Sequence, residues 1–132
     1  MTHLDTNILI DIAEDDLHWA NWSQDQLARA MARGPVIISP VVYAEFSAQI
    51  EDIATLDAFL EALVVEVEPI PREALFLAGR AFRRYRSQGG PRMGVLPDFM
   101  IGAHAAVRDA PLLTRDTARH RTHFPRLRLI AP

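Results

Sequence analysis

The sequence predicts a three-layer α/β domain built around a central, mainly parallel sheet. Short apolar runs alternate with longer helical patterns along the chain, and strands separated by helices are typical of parallel sheets. The stretch "PVIIS" at residues 35–39 is a short apolar run bounded by proline, which is the pattern of a buried strand. A chain of 132 residues can form one hydrophobic core, so we expect a single domain over residues 1–132.

Two strands and four helices are expected in the first half of the chain. Residues 1–5 form the first strand and residues 35–39 the second. Gly34 is a strong helix stop, while Ser39 followed by Pro40 combines a capping side chain with a first-turn proline. These signals place helices at residues 7–13, 18–33, 40–49 and 52–63.

The second half repeats the alternation. The Val-rich stretch "VVEVEPI" (64–70) predicts a strand, and residues 71–87 have an amphipathic helical pattern that ends at Gly89 and Gly90. The apolar face of that helix is expected to carry Leu75, Ala78, Phe82 and Tyr85, with Arg80, Arg83 and Arg84 opposite. A helix at 98–110 and strands at 111–114 and 126–131 complete the pattern. Periodicity does not give the order of the strands in the sheet.

Two absences narrow the chemistry. The chain has no Cys, which excludes a disulfide framework, a thiolate zinc site and a cysteine nucleophile. All 14 basic residues are Arg, so a phosphate-binding P-loop, which needs its Lys, and Schiff-base chemistry are excluded as well. No signal-peptide pattern or membrane-length apolar run is visible, and we therefore expect a cytoplasmic protein.

The net charge of −3 hides an asymmetry between the two halves. Residues 1–68 hold 13 acids and 2 arginines, whereas residues 69–132 hold 4 acids and 12 arginines. One interpretation is a solvated surface of mixed charge. The other is an acidic centre with an arginine-rich rim, as a phosphate-bearing substrate would require.

Four acids lie where such a centre could form. Ligands of open α/β sheets bind beyond the carboxyl ends of the strands, and Asp5 and Asp116 follow two of the expected strands. Glu45 lies in the second turn of the helix after "PVIIS", and Asp98 begins the helix that leads into the strand at 111–114. Gly102 and Ala105 share a helix face with Asp98 and would allow close approach to a neighbour.

Each acid alone has a structural alternative. Asp5, Asp98 and Asp116 lie near helix starts, where Asp is favoured as a cap or dipole partner. Glu45 is less easily explained because its neighbours are apolar, and a charge there needs compensation or hydration. Carboxylates that cluster repel one another unless a cation is present, and hard oxygen ligands favour Mg²⁺ or Mn²⁺ over zinc.

The motifs "LDTNILID", "VVYAEF", "PDFMIGAHA" and "LLTRD" followed by "FPRLRLI" resemble those of the PIN-domain family. They are most similar to the VapC-type toxins of toxin–antitoxin systems. The match is collinear and covers essentially the whole chain, although the stretch between Asp116 and "FP" is slightly longer than the commonest family spacing.

The resemblance implies a metal-dependent endoribonuclease. Asp5, Glu45, Asp98 and Asp116 would hold Mg²⁺ or Mn²⁺, with Thr6, Asn7 and Thr114 supporting them. Its implied context is a homodimer silenced by a cognate VapB-like antitoxin, with operator DNA bound only through the antitoxin. We expect hydrolysis of RNA by metal-activated water, which leaves 5′-phosphate and 3′-hydroxyl ends, and we expect Arg92 and Arg115 to contact the RNA backbone.

Several alternatives remain open at this point. His104, His120 and His123 could form a metal-independent acid–base nuclease. The chain could also be a non-catalytic module that binds RNA or protein. Trp19 and Trp22 could belong to the core or to an antitoxin interface.

Overall fold

The computed structural model describes residues 1–91 and 94–132, which form five strands and seven helices. The strands are β1 (Thr2–Leu4), β2 (Val36–Ile38), β3 (Val65–Val67), β4 (Leu112–Leu113) and β5 (Leu129–Ile130). The helices are α1 (Thr6–Ala13), α2 (Ala20–Arg33), α3 (Pro40–Ser47), α4 (Ile53–Ala62), α5 (Arg72–Ser87), α6 (Leu96–Val107) and α7 (Ala118–His123). Every element expected from the sequence is present, and α7 is an addition.

The five strands form one sheet in the order β3-β2-β1-β4-β5, and every neighbouring pair is parallel. The three-layer α/β/α fold is therefore confirmed, and the sheet is parallel throughout. His3 of β1 pairs with Ile37 of β2 on one side and with Leu112 of β4 on the other. This central position of β1 places Asp5 in the middle of the edge where ligands of such sheets bind.

Local signals in the sequence define the starts and stops of the early helices. Ser39 caps α3 by accepting hydrogen bonds from the backbone N–H groups of Val41 and Val42, with Pro40 in the first turn. Gly34 ends α2 with a φ of 148°, in the region that favours glycine. Both features match the sequence expectation.

Helix α5 differs from the expected apolar face. Its buried residues are Ala74, Ala78 and Ala81, whereas Leu75 is 44% exposed and lies outside the contact with α6. Small residues line that contact because α5 and α6 pack closely over Phe99. The expectation that Leu75 shares the buried face was therefore wrong.

The core has two parts. The larger one surrounds the sheet and includes Leu4, Ile8 and Phe46, and the smaller one lies between α5 and α6 around Phe99 and Phe124. Within the described residues, no helix combines the length and apolar character that crossing a bilayer requires.

A candidate metal centre at the carboxyl edge of the sheet

Four acidic residues lie on elements that meet at the carboxyl edge of the sheet. Asp5 follows β1 and is the N-cap of α1, and Asp116 lies two residues beyond Thr114, which follows β4. Glu45 projects from α3, the helix that begins directly after β2. Asp98 lies in the first turn of α6. The connectivity thus places the four acids at one edge of the sheet, as expected from the sequence. Their role as metal ligands stays a prediction.

Asp5 is buried and hydrogen-bonded through both carboxylate oxygens. Its Oδ1 accepts a 2.7 Å bond from the Thr6 N–H, and its Oδ2 accepts a 2.7 Å bond from the Thr114 hydroxyl. His120 Nε2 lies 3.5 Å from the same Oδ2. Burial by itself raises the pKa of Asp5, but the bonds from His120 and Thr114 outweigh it and hold that pKa below its ordinary value. Asp5 is therefore an ionised carboxylate inside the protein.

Glu45 is joined to the Asp5 segment through Thr6. The Thr6 hydroxyl donates a 2.6 Å hydrogen bond to Glu45 Oε1. Burial of the carboxyl group raises the pKa of Glu45; the Thr6 bond opposes this in part, and the charges of Asp98 and Asp5 raise it further. Most of the Glu45 residue is exposed on α3. Its carboxyl group is the part that bonds to Thr6 and experiences the charges of Asp98 and Asp5.

Asp98 has an arginine partner. Its carboxylate forms an ion pair with the Arg119 guanidinium of α7. Burial raises the pKa of Asp98, Arg119 lowers it, and the charge of Asp5 raises it again, with a net upward shift. Asp5, Glu45 and Asp98 thus feel one another's charge at the end of β1.

Asp116 is exposed, and its position is set through its backbone. The Asp116 N–H donates a 3.0 Å bond to the Thr114 hydroxyl oxygen, which in turn donates to Asp5. Asn7 approaches the same hydroxyl through its side-chain nitrogen at 3.5 Å, and its Oδ1 accepts the Arg115 N–H at 3.2 Å. Thr114 and Asn7 therefore tie the segment after β4 to the start of α1.

The oxygen atoms of the four acids are not tightly clustered. Among the described residues, no three of these carboxylates offer oxygen atoms that all lie within 4.8 Å of one another. The acids at this strand end therefore influence one another's charge without forming a compact group of three carboxylates.

A family model for the PIN domain matches residues 3–125 of the sequence. The chain belongs to the PIN-domain family. The family that the sequence motifs indicated is therefore confirmed. No protein of curated function matches the sequence significantly.

Solved structures share the fold of this PIN domain over nearly their whole length. VapBC2 from Rickettsia felis, bound to a DNA fragment from its promoter, has a TM-score of 0.74 at 19% identity and covers 98% of this chain and 97% of its own. VapBC-1 from nontypeable Haemophilus influenzae gives 0.72 at 19% identity, with 98% and 96% covered. FitAcB from Neisseria gonorrhoeae gives 0.68 at 18% identity, again with 98% and 96% covered.

Arg115 of the PIN domain is engaged inside the protein. Its Nε and one terminal nitrogen donate 2.8 Å bonds to the two oxygens of buried Asp11, whose Oδ2 also accepts the Ser23 hydroxyl. The guanidinium carbon lies 5.0 Å from the centre of the Trp19 ring. This arrangement favours a structural role for Arg115, and its contact with RNA stays a prediction. Arg92, the other expected RNA contact, lies outside the described residues.

The two tryptophans of the PIN domain are tied to its fold. Trp19 and Trp22 pack edge to face with ring centres 5.9 Å apart, and Trp22 also contacts the larger core cluster. Both are half-buried. Leu17, two residues before Trp19, is 99% exposed. The expected contact of this region with an antitoxin stays a prediction.

The sequence did not predict the roles of three residues near the site, which are Asp11, Arg119 and His120. Asp11 is an acid within the apolar helix "TNILIDIA", and the reasoning that singled out Glu45 could have found it. Arg119 and His120 lie on α7, whose polar sequence gives no helical periodicity. The sequence suggests His120 only as an acid–base catalyst, whereas in the structure its Nε2 lies 3.5 Å from Asp5 Oδ2.

Proposed function

We propose that this PIN domain is a Mg²⁺- or Mn²⁺-dependent endoribonuclease that acts as the toxin of a VapBC-like, type II toxin–antitoxin pair. The observation that supports the proposal most strongly is the electrostatic coupling of Asp5, Glu45 and Asp98 at the end of β1. The charges of Asp98 and Asp5 both raise the pKa of Glu45, and a cation between such groups would relieve their repulsion.

The donor atoms fit a hard divalent cation. The side chains that face one another here supply carboxylate and hydroxyl oxygens, which Mg²⁺ and Mn²⁺ prefer. Asp5 is ionised and fixed by hydrogen bonds, and Glu45 lies beside it through Thr6. Asp98 and Asp116 complete the proposed ligand set. An ion bound there would activate water and neutralise charge on the phosphoryl group under attack.

The remaining residues would act by positioning. Thr114 donates to Asp5 and receives the Asp116 N–H, so it keeps both acids in register. Thr6 orients Glu45 and Asn7 holds the Arg115 backbone. Arg119 neutralises Asp98 in the absence of substrate and is well placed to turn towards a phosphate. Arg92 is proposed to bind the RNA backbone.

The proposed partners are an RNA substrate and a VapB-like antitoxin, and the protein is proposed to form a homodimer in the cytoplasm. The VapBC complexes that share the fold support the antitoxin, and the one from Rickettsia felis was solved with a promoter DNA fragment. Operator DNA would be bound only through the antitoxin. The single-domain organisation expected for residues 1–132 is part of the proposal.

Cleavage of a structured RNA by the purified protein tests the proposal. Asp5→Asn should lower the rate on the order of 100-fold or more, because the loss of a metal ligand removes several kcal/mol of transition-state stabilisation. Asp25→Asn is the matched control, since Asp25 is exposed on α2 and pairs with Arg29 of the same helix. Products should carry 5′-phosphate and 3′-hydroxyl ends, and expression of the wild type, but not of Asp5→Asn, should be toxic.

Two results would contradict the proposal. Cleavage that survives EDTA, or that leaves a 2′,3′-cyclic phosphate, would favour the histidine mechanism. Two of the three candidate histidines, His104 and His120, are buried at 0% and 2% exposure, which does not favour it; His123 is partly exposed. Binding of RNA without any cleavage in Mg²⁺ or Mn²⁺ would instead support the non-catalytic module.

A further inference from the structure

A second group of side chains of types that bind metals shares no residue with the acidic edge. His3 comes from the centre of β1, His104 from α6, and Glu68 directly follows β3. One ligand atom from each of the three lies within 4.8 Å of the other two. The His3 and His104 rings are 4.4 Å apart at an angle of 67°. Residues 3, 68 and 104 are far apart in the sequence and meet only in the folded chain, where β3 lies two strands from β1.

Two atoms of this group, His3 Nε2 and His104 Nδ1, have no hydrogen-bond partner among the described residues. His3 is 1% exposed, and its Nε2 makes no hydrogen bond although it faces Glu68 Oε2 at 3.6 Å. A buried polar atom left without a partner costs about 1–3 kcal/mol. In a neutral imidazole, one ring nitrogen carries a lone pair that a metal ion can accept.

Two of the ligand-atom distances in this group are close to the spacing in a zinc site. Zinc bonds of about 2.0–2.1 Å place neighbouring ligands of a tetrahedral ion roughly 3.3 Å apart. Glu68 Oε2 lies 2.9 Å from His104 Nε2 and 3.6 Å from His3 Nε2, on either side of that spacing. Two imidazoles and one carboxylate also form a ligand set that zinc sites use, and one position would be left for water.

We propose that His3, Glu68 and His104 form a binding site for Zn²⁺ or a similar transition metal ion, separate from the acidic edge. The Glu68 side chain is 22% exposed, whereas the two histidines are buried. The ion would enter from the Glu68 side and would link the central strand, the segment after β3 and α6. The proposal does not depend on nuclease activity, since it shares no ligand with the acidic edge.

Arg108 is the competitor for this ion. Its Nε lies 3.0 Å from Glu68 Oε1, so Oε2 is the oxygen left for the metal. The positive charge of Arg108 both neutralises Glu68 and repels a cation. Because Arg108 is 40% exposed, it can turn into solvent when the ion binds. Arg108→Gln should therefore raise the affinity for Zn²⁺.

The test is titration of the chelator-treated, full-length protein with Co²⁺ in excess Mg²⁺, followed by displacement with Zn²⁺. One Co²⁺ per chain should bind and give the visible absorption of a nitrogen- and oxygen-ligated ion of low coordination number. Glu68→Gln keeps the shape of the side chain and should weaken binding by about 100-fold, a scale that even loss of an outer-shell partner can reach. His18→Gln, on the exposed His18, is the matched control and should bind as the wild type does.

Asp5→Asn distinguishes this site from the acidic edge, because it removes a proposed Mg²⁺ ligand and should leave the Co²⁺ spectrum unchanged. The absence of stoichiometric binding by the wild type would overturn the proposal. Equal binding by Glu68→Gln, or loss of binding in Asp5→Asn, would overturn it too. Far-UV circular dichroism of each variant separates loss of a ligand from loss of the fold.

Discussion

Asp5 has an observed role as the N-cap of α1 and a proposed role as a metal ligand. Its Oδ1 caps α1 through the Thr6 N–H, and its Oδ2 accepts the Thr114 hydroxyl. A carboxylate offers about four lone-pair directions, so Oδ1, which has one partner, retains capacity for a further ligand, whereas Oδ2 already faces both Thr114 and His120. The helix-cap and metal-ligand interpretations of Asp5 are therefore compatible, and the cap is one of the contacts that hold the side chain in place.

Glu45 should reduce the stability of the protein at neutral pH. Its pKa is raised in the folded state, chiefly by burial, so its charged form is less favourable there than in the unfolded chain. We expect Glu45→Gln to raise the free energy of unfolding at pH 7 by up to about 1 kcal/mol, since the residue is exposed and its interactions are screened. Urea denaturation at low salt measures the difference.

The pH dependence gives the control for this prediction. The destabilisation is present above the raised folded pKa of Glu45 and disappears as the pH falls towards its ordinary value, so the wild type and Glu45→Gln should converge in acid. Glu61→Gln, on the exposed Glu61 of α4, should show no such pattern. A less stable Glu45→Gln at pH 7 would mean that the Thr6 bond outweighs the repulsion.

At the level of elements, α6 connects the acidic edge to the smaller core. It carries Asp98 in its first turn and packs on α5 and α7. Gly102 of α6 lies against His120 of α7 and against Phe124, the residue that follows α7. A Cβ added there would lie 2.8 Å from two ring carbons of Phe124 and 3.0 Å from His120 Nδ1, whose other nitrogen faces Asp5. The close approach expected from Gly102 is thus observed.

Gly102→Ala should destabilise the protein by about 1–3 kcal/mol through overpacking, in spite of the better helix propensity of Ala. Gly79→Ala is the control on α5, where nothing lies within 4 Å of the added Cβ; it should stabilise by about 0.5–1 kcal/mol. Thermal unfolding of the two variants compares them directly. Equal and positive shifts in Tm would contradict the close packing of α6 on Phe124.

The elements with a strong pattern were predictable, and the weakly patterned ones were not. Apolar runs and capping residues predicted the five strands and six of the helices. Helix α7 has the sequence "ARHRTH", which has no apolar face, and it is held by long-range contacts such as the pair of Arg119 with Asp98. Its partners are distant in sequence, so local propensity does not indicate it.

The acidic residues were easier to find than their partners. Asp5 and Glu45 stand out because a charge among apolar neighbours needs a reason. The bonds of Thr114 to Asp5 and of Arg115 to Asp11 span more than 100 residues and depend on β4 lying beside β1. Because periodicity does not give strand order, the group of His3, Glu68 and His104 could not be predicted from the sequence either.

At the level of the whole molecule, the charge asymmetry should appear in RNA binding. Twelve of the 14 arginines lie in residues 69–132, and removing one arginine–phosphate pair should reduce the slope of log K against log salt by about 0.7 for single-stranded RNA. We expect Arg92→Ala to weaken binding and flatten that slope, measured in the Asp5→Asn background so that RNA is not cut. Arg29→Ala, on the exposed Arg29 of α2, should leave the slope unchanged, and an unchanged slope for Arg92→Ala would refute the predicted RNA contact.

The strand order also has a consequence for synthesis on the ribosome. Asp5 is made long before its partners, because β1 has its neighbour β4 only after residue 113 and the Thr114 hydroxyl that fixes Asp5 lies 109 positions downstream. A nascent chain that stops short of this point has no sheet partner on that side of β1 and no anchored Asp5. If the proposed ribonuclease function holds, a growing polypeptide would therefore lack an organised site for RNA cleavage until nearly all of the fold has been made.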